Sequence, residues 1–292
     1  MSTFHLYKGK ILTIFVIIFL IMVFLGEIII SKYGLTVTKY KTVTDRVSTP
    51  LRIVQITDLH NSEFGVDNNR LVQIINKQMP DLILVTGDLL NSDSKVTDIA
   101  TNLLLRLSEI APVYVSLGNH EIEYAEKYAI DIKNLYESTG VTVLDKQYED
   151  IAVNDQKIRL GGIYGYCVPD RYLETGEANL EECNFLKDFQ NTNYYSVLMC
   201  HMPVCWIENS GIDEWDIDLI LAGHAHGGQI RIPFIGGLWA PDQGWFPGQE
   251  RGLYYSSDSS KVMVLSRGLG SRELIPRFNN IPEIVVVDVM PE

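Results

Sequence analysis

Three short segments in the first half of the chain share one pattern, an apolar run that ends in polar side chains. They are LRIVQITDLH (51–60), DLILVTGDLL (81–90) and PVYVSLGNHE (112–121). Each run is rich in branched apolar residues and too short for an ordinary helix, which predicts a buried strand. Longer amphipathic stretches follow these runs and predict helices over 67–78, 96–110 and 121–138. This alternation predicts an α/β fold.

Two further apolar runs lie in the second half of the chain, SVLMC (196–200) and DLILA (218–222). Near the C-terminus, EIVVVDV (283–289) predicts one more strand. No internal repeat, low-complexity tract or interdomain linker separates these runs. The sequence therefore predicts a single compact domain over residues 51–292, which matches the length of one large domain.

Five of these apolar runs end in side chains that can bind a metal ion. The groups are Asp58-Leu-His60, Gly87-Asp88, Gly118-Asn119-His120, His201 and Gly223-His224-Ala-His226. The carboxyl ends of parallel strands meet at one edge of a sheet, so we expect these side chains to lie close together. A single group of this kind is usually only a polar turn. Their joint occurrence after five apolar runs indicates a metal site.

The residue types at these positions favour transition metals. Imidazole and carboxylate ligands without thiolates suit manganese, iron, zinc or cobalt. The ligands are too many for one ion and about right for two ions that share a carboxylate. Two ions roughly 3.5–4 Å apart can hold a bridging hydroxide as nucleophile and clamp the oxygens of a displacement at phosphorus. The sequence therefore favours hydrolysis of a phosphoester.

The complete set of groups, in this order, resembles the signature of the calcineurin-like metallophosphoesterase superfamily over residues 51–226. The N-terminal apolar segment, HGGQIRIP (226–233) and SRGLGSRELIPRFNNIPEI (266–284) are similar to the bacterial YkuE/YaeI-like membrane-anchored phosphohydrolases. The resemblance implies an α/β fold that is a four-layer αββα sandwich of two mixed sheets, with the site at the strand ends.

The resemblance also implies a role for each residue. The implied ligands of one ion are Asp58, His60, Asp88 and His226. Those of the second ion are Asp88, Asn119, His201 and His224. Asp88 would thus bridge two divalent transition-metal ions. His120 would be no ligand but a catalytic group that protonates the leaving oxygen or stabilises developing charge.

The residue three positions after Asp88 narrows the choice of metal. It is Asn91, where purple acid phosphatases have a tyrosine. An Fe(III)–tyrosinate centre is therefore not expected, and manganese, zinc and ferrous iron stay open.

Two features bear on the substrate. Arg267, Arg272 and Arg277 are candidate phosphate partners because arginine pairs bidentately with phosphate oxygens; surface charges are the alternative, and Arg267 is retained as a substrate-binding residue. The stretch 230–255 follows the last ligands and includes the aromatic residues Phe234, Trp239, Trp245 and Phe246. It either packs these rings on the sheet or forms a lipid-facing rim that accepts an amphiphilic phosphoester.

An apolar segment near the N-terminus predicts membrane attachment. Residues 11–30 read ILTIFVIIFLIMVFLGEIII, enough to cross a bilayer core of about 30 Å as a helix. No small-residue cleavage site follows, so we expect a cytoplasmic tip and uncleaved signal anchor over 1–32, with a cleaved signal peptide as the alternative. Residues 33–50 would be a juxtamembrane linker. Flanking charges leave the orientation open; the resemblance implies an extracytoplasmic catalytic domain on a single-pass cell-membrane protein.

The charge balance argues against nucleic acid as a partner. The net charge is −13, and residues 1–47 carry six basic and two acidic side chains, so the remainder has a net charge of −17. Such an acidic body repels a nucleic-acid backbone, but bound cations would still admit a small phosphorylated substrate.

We therefore expect a dimetal phosphodiesterase that acts at a membrane surface on a lipid-like phosphoester. A phosphomonoesterase of nucleotidase or phosphoprotein phosphatase type with a soluble substrate is one alternative. A non-catalytic metal-binding scaffold is another, but a scaffold has no need of His120.

Overall fold

The computed structural model describes residues 2–166, 180–208, 211–270 and 276–292. The helices in these ranges are α1 (Ser2–Tyr33), α2 (Asn69–Lys77), α3 (Asp98–Ser108), α4 (Asn119–Tyr128), α5 (Ile132–Glu137), α6 (Leu180–Phe189), α7 (Val204–Glu208) and α8 (Gly211–Glu214). The three helices predicted between the first strands are confirmed, with the third divided into α4 and α5.

The strands form two large sheets and two small hairpins. The strands of the first sheet are β1 (Thr36–Thr44), β2 (Leu51–Ile56), β3 (Leu82–Thr86), β4 (Val113–Ser116), β5 (Thr142–Val143) and β16 (Glu283–Pro291). Those of the second sheet are β6 (Gln147–Val153), β7 (Gln156–Ile163), β8 (Tyr195–Cys200), β9 (Leu219–Ala222), β14 (Gly252–Tyr255) and β15 (Val262–Leu265). The hairpins pair β10 (Arg231–Ile232) with β11 (Gly236–Gly237), and β12 (Trp239–Ala240) with β13 (Gly244–Trp245).

Both large sheets are mixed. The first has the order β1-β16-β2-β3-β4-β5, in which β2 to β5 are parallel and β16 is antiparallel to β2. The second has the order β14-β15-β9-β8-β7-β6, in which β7, β8, β9 and β15 are parallel and the two edge strands are antiparallel. The parallel strands place the carboxyl ends of β2, β3 and β4, and of β8 and β9, at one side of each sheet.

Three buried apolar clusters define the order of the layers. One contains Ile53 of the first sheet and Val197 of the second, so it fills the space between the sheets. A second packs the first sheet on α2 and α3 and includes Leu71 and Leu103. The third packs the second sheet on α6 and α7 and includes Trp206. Strands buried on both faces explain the continuous apolar runs. The expected four-layer αββα sandwich is confirmed.

The segment 33–50 differs from the predicted juxtamembrane linker. Residues Thr36–Thr44 pair in parallel with Glu283–Pro291 along their whole length. Beyond that strand, Arg46 Nη1 donates to both carboxylate oxygens of Asp218 at 2.9 and 2.8 Å. The linker prediction is wrong for 36–44 because an edge strand is half solvated, and its threonines and lysines look like a polar connection. The folded unit therefore begins before Leu51.

The N-terminal helix α1 is continuous. Its residues Lys10–Tyr33 are long and apolar enough to cross a membrane, a property that a signal sequence near the N-terminus shares. Large apolar side chains are exposed around the helix from Ile11 to Ile30. A helix that is apolar on every side is typical of a segment that lies in lipid or is removed.

Candidate metal centre

The predicted ligands come from five loops at the carboxyl ends of strands. They are Asp58 and His60 after β2, Asp88 after β3, Asn119 after β4, His201 after β8, and His224 and His226 after β9. The first four belong to one sheet and the last three to the other, so the site lies where the two sheets meet. Gln55 links the sheets beneath it, because its Nε2 donates to Thr86 Oγ1 and to the Ala222 carbonyl at 2.9 Å each.

One cluster of ligand atoms is formed by Asp58, His60 and His226, all within 4.8 Å of one another. His60 Nε2 lies 3.9 Å from Asp58 Oδ1, and His226 Nε2 lies 3.8 Å from the same oxygen. The His60 Nε2 atom is buried and has no hydrogen-bond partner in the part of the chain that the structure describes. Ligands that share an ion about 2.1 Å away are themselves about 3–3.5 Å apart, so a small contraction would accommodate a cation.

A second cluster surrounds His201 Nε2. This atom lies 3.2 Å from Asp88 Oδ2, from Asn119 Oδ1 and from His224 Nδ1. Asp88 Oδ2 is also 3.6 Å from His60 Nε2 of the first cluster. One carboxylate oxygen therefore lies between the two clusters, while its partner Oδ1 accepts the His120 N–H at 2.9 Å.

Two of the histidines at the site are held neutral, whereas at a third, His201, Asp88 outweighs burial and raises the pKa to about 10, so an ion would displace a proton there. Burial lowers the pKa of His60 to about 3, and burial together with the neighbouring His60 lowers the pKa of His226 well below its usual value. Burial alone would raise the pKa of Asp88, but the adjacent His201 holds that pKa well below the usual range. Burial raises the pKa of the Asp58 carboxyl, which a neighbouring cation would reverse. Neutral imidazoles and ionised carboxylates are the forms that bind metals.

The backbone at the site adopts an uncommon conformation. The φ angles of Asp58, His60, Asp88, His224 and His226 are 52, 48, 56, 69 and 48°. A non-glycine residue in the left-handed region costs about 1–3 kcal/mol, and such residues cluster at functional sites. The loops after β3 and β4 also approach each other so closely that position 87 requires glycine, because a Cβ on Gly87 would lie 2.5 Å from the Gly118 nitrogen.

Glu121 joins two loops of the first sheet to helix α5, a role that the motif did not reveal. Its Oε2 accepts the N–H of Asp88 at 2.7 Å and that of Gly118 at 2.9 Å. Its Oε1 accepts the N–H of Leu89 at 2.7 Å and the Tyr136 hydroxyl at 3.0 Å. A glutamate at the start of a predicted helix suggests a capping contact. Its contact with the Asp88 loop arises only when β3 and β4 lie side by side.

Three ligand imidazoles donate from the nitrogen that faces away from the clusters. The pairs are His60 Nδ1 to Asn91 Oδ1 at 3.1 Å, His201 Nδ1 to the Thr86 carbonyl at 2.7 Å, and His224 Nε2 to Asp242 Oδ2 at 2.8 Å. Partners of this kind set the tautomer and the ring orientation of a metal-binding histidine. Asp242 was not predicted. It lies in the turn of the β12–β13 hairpin, and no sequence spacing relates it to His224.

His120 lies beside the ligands with its proton position defined. Its Nδ1 accepts the backbone N–H of Ser92 at 3.1 Å. Because a backbone N–H can only donate, Nδ1 carries the lone pair and the ring proton is on Nε2. The ring packs edge-on to His60 with centroids 4.7 Å apart. His120 therefore offers an N–H donor at the metal centre.

The candidate phosphate-binding arginines are held by other groups. Arg267 Nη2 lies 3.1 Å from Glu283 Oε1, while its Nε is buried without a hydrogen-bond partner among the described residues. Arg277 is buried and donates from Nε to the Gly270 carbonyl at 2.8 Å. Arg272 lies outside the described residues.

Two clusters of nitrogen and oxygen ligands that share a carboxylate, at the joined ends of two mixed sheets, are typical of metal-dependent hydrolases that act on phosphoesters. The chain belongs to the calcineurin-like phosphoesterase family, whose model matches residues 51–228. It is therefore a metal-dependent phosphoester hydrolase.

Similar proteins span most of the chain. The uncharacterized metallophosphoesterase YkuE of Bacillus subtilis is 29% identical over 240 residues, which are 80% of this chain and 77% of that protein. The phosphodiesterase YaeI of Escherichia coli is 29% identical over 251 residues, which are 82% of this chain and 83% of that protein. Among solved structures, the phosphopantetheinyl hydrolase PptH of Mycobacterium tuberculosis superposes with a TM-score of 0.47 at 13% identity, covering 77% of this chain and 91% of that chain.

Proposed function

We propose that the protein is a dimetal phosphodiesterase that acts at a membrane surface. The observation that carries the dimetal assignment is the position of Asp88 Oδ2, 3.6 Å from His60 Nε2 and 3.2 Å from His201 Nε2. The proposed ligands of the first ion are Asp58, His60, Asp88 and His226, and those of the second are Asp88, Asn119, His201 and His224. Nitrogen and oxygen donors without thiolates favour manganese, zinc or ferrous iron.

The chain's own side chains supply donors around the reacting phosphate. When bound, two divalent ions activate water as the nucleophile and neutralise phosphoryl charge. The Nε2–H of His120 would donate to an oxygen that gains charge as the ester bond breaks. Because Nδ1 is already occupied by the Ser92 N–H, hydrogen-bond donation to developing charge is favoured over full proton transfer. Arg267, beside the Gly227 backbone, is a proposed phosphate contact through its free Nε.

Two observations support the finer parts of the proposal. The relative YaeI is named a phosphodiesterase, which favours a diester over a monoester substrate. The apolar length of α1 supports a tip and signal anchor over 1–32, followed by a catalytic domain that starts with β1. The extracytoplasmic placement of that domain rests on the resemblance to the membrane-anchored phosphohydrolases. The natural substrate would then be a phosphoester accessible from the membrane surface.

Metal analysis combined with a substrate screen tests this proposal. The purified full-length protein should contain close to two transition-metal ions, lose hydrolysis on treatment with a chelator, and prefer aryl phosphodiesters to aryl phosphomonoesters. A preference for monoesters would support the phosphomonoesterase alternative. Two bound ions without any hydrolysis would support the scaffold.

His120→Ala separates catalysis from metal binding. The variant should keep both ions and lose roughly 10²–10⁴-fold in rate, the range for a positioned proton-transfer or donor group. His120→Gln should recover part of the rate, because its amide retains an N–H donor. Loss of one ion in His120→Ala would instead make His120 a ligand, consistent with its position near His60 and Asp88.

A further inference from the structure

Two short hairpins that follow His226 expose large apolar side chains. Phe234 and Ile235 lie in the turn between β10 and β11, and Trp245 and Phe246 lie at the end of the β12–β13 hairpin. These four side chains, called here the apolar rim, are 109, 65, 69 and 60% exposed. Single exposed apolar residues are ordinary, but four on neighbouring hairpins form the kind of patch that marks an interaction surface.

The hairpins are attached to the metal centre. The Leu238 N–H donates to the Gly228 carbonyl at 3.1 Å and to the Ile230 carbonyl at 2.7 Å. The Phe246 N–H in turn donates to the Leu238 carbonyl at 2.9 Å, which joins the two hairpins. Asp242, between β12 and β13, contacts His224. The hairpins that carry the apolar rim are therefore anchored to the loop that carries His224 and His226.

The end of α1 meets the domain beside the same hairpins. The ring of Phe24 lies 5.1 Å from that of Phe278, and the Phe278 carbonyl accepts the Arg231 N–H at 2.9 Å at the start of β10. Two residues before the helix ends, Ser31 Oγ accepts the Asn280 N–H at 3.2 Å. The Asn280 side chain donates to the His226 carbonyl at 2.7 Å. A single residue, Asn280, thus connects α1 to the loop that carries His226.

We propose that the apolar rim inserts into the surface of the bilayer that α1 crosses, and that the metal centre acts on a phosphodiester carried by a membrane lipid. The inference rests on the proposed function above and adds the substrate class. Aromatic side chains favour the boundary between headgroups and acyl chains. The headgroup layer is about 5–7 Å deep, so rim side chains at the acyl boundary would hold the adjacent ligands at the depth of the lipid phosphates.

Attachment at two places explains why the bilayer is the expected occupant of this surface. The rim is continuous, through Phe278, with a helix whose apolar side chains themselves require lipid. A helix alone would tether the domain in any orientation, whereas a helix and a rim together define one face. Ligand loops held at that face meet a lipid headgroup without the lipid leaving the bilayer.

Fluorescence quenching tests insertion without reference to activity. The full-length protein is placed in nanodiscs whose lipids carry bromine near the glycerol end of the acyl chains. Trp206 and Trp215 are 0 and 4% exposed, but Trp239 is 38% exposed and pairs with Trp245 in the same hairpin. The measurement therefore uses Trp239→Phe as the starting protein, in which quenching by lipid should come mainly from Trp245 and should largely disappear in Trp239→Phe/Trp245→Phe. Unchanged quenching in Trp239→Phe/Trp245→Phe, or none in Trp239→Phe, would overturn insertion of the rim.

Hydrolysis of two substrates tests the lipid assignment. The substrates are a soluble aryl phosphodiester and a headgroup-labelled phosphatidylglycerol in the nanodisc. The double variants Phe234→Ser/Ile235→Ser and Trp245→Ser/Phe246→Ser should each lose roughly tenfold on the lipid and stay within about twofold on the soluble diester, because the rim affects access and not chemistry. The matched control is Met79→Ser/Leu105→Ser, which removes two exposed apolar side chains distant from the hairpins and should leave both rates unchanged.

The two assays separate failure of this inference from failure of the proposed function. If the native protein hydrolyses the soluble diester, and the native protein and the rim variants hydrolyse the lipid at equal rates, the role of the rim is rejected. The phosphodiesterase activity is then still supported. No hydrolysis of either substrate by the metal-loaded native protein would reject the phosphodiesterase, and the quenching result would still decide whether the rim inserts.

Discussion

The two sheets contribute half of the metal centre each, and the halves are held in different ways. The loops after β3 and β4 in the first sheet are braced by Glu121, whose carboxylate accepts five bonds, four from backbone N–H groups and one from the Tyr136 hydroxyl. Loops of the second sheet are braced from far along the chain, by Asp242 at His224 and by Asn280 at His226. The first half is thus organised by neighbouring strand ends, and the second depends on the hairpins and the C-terminal segment.

The largest effect is expected where the halves join. Asp88→Asn should lose both ions because one oxygen serves both clusters. Its rate of hydrolysis should fall by more than roughly 100-fold, which exceeds the 10–100-fold loss typical of a residue that only supports a ligand. Asp58→Asn is the comparison and should lose mainly the first ion. Metal content and rates are measured on the same samples. Two retained ions in Asp88→Asn would show that the clusters do not share a ligand.

Removal of the brace in the first half should cost stability. Glu121→Ala leaves buried N–H groups of Asp88, Leu89 and Gly118 without an acceptor, and we expect a loss of about 3–5 kcal/mol in the free energy of unfolding. Urea unfolding measures this directly. Glu126→Ala, on the exposed side of the same helix, is the matched control and should cost under about 1 kcal/mol. Equal effects would contradict the bracing role.

Removal of a brace in the second half should act on one ion. Asp242→Ala leaves His224 free to rotate or change tautomer, so affinity for the second ion should fall roughly 10–100-fold while the first ion is unaffected. Asp242→Asn should keep part of the affinity for the second ion, because the amide oxygen still accepts from His224 Nε2. Titration with a competing chelator gives both affinities. Equal weakening of both ions would contradict the independence of the two ligand clusters.

The smallest effect is expected on removal of α1 alone. A chain that begins at Gly34 loses the Ser31–Asn280 bond but keeps β1, and its rate on a soluble phosphodiester should stay within about twofold of the full-length rate. Activity on the aryl diester and thermal unfolding are measured together.

A chain that begins at Val47 gives the contrast. It also loses β1 and the Arg46–Asp218 pair, and its melting temperature should fall by roughly 5–10 °C. Identical melting of the two shortened chains would show that β1 adds nothing to the fold.

Part of the site was predictable because its signals are local. Each apolar run ends in a ligand-type residue, and parallel strands in α/β sheets place such ends together. The three quoted helical stretches and all six quoted strands were found for the same reason, since burial imposes its period on the sequence. The helices α6 to α8 and the buried strand β7 were not predicted. β1 was missed because an edge strand buries too little to leave that period. Glu121 was quoted as part of a motif, but its bonds to the Asp88 loop depend on a neighbouring strand.

The sequence by itself determined the class of fold, the identity of the ligand-type residues and the reaction class, because these follow from residue chemistry and the order of strands. Only the tertiary structure showed that Asp88 Oδ2 lies between His60 and His201, that Asp242 and Asn280 support the second half, and that the apolar rim lies beside the end of α1. Asp242 is 18 positions from His224, and Asn280 is 54 positions from His226. Contacts across such separations leave no period or spacing in the sequence.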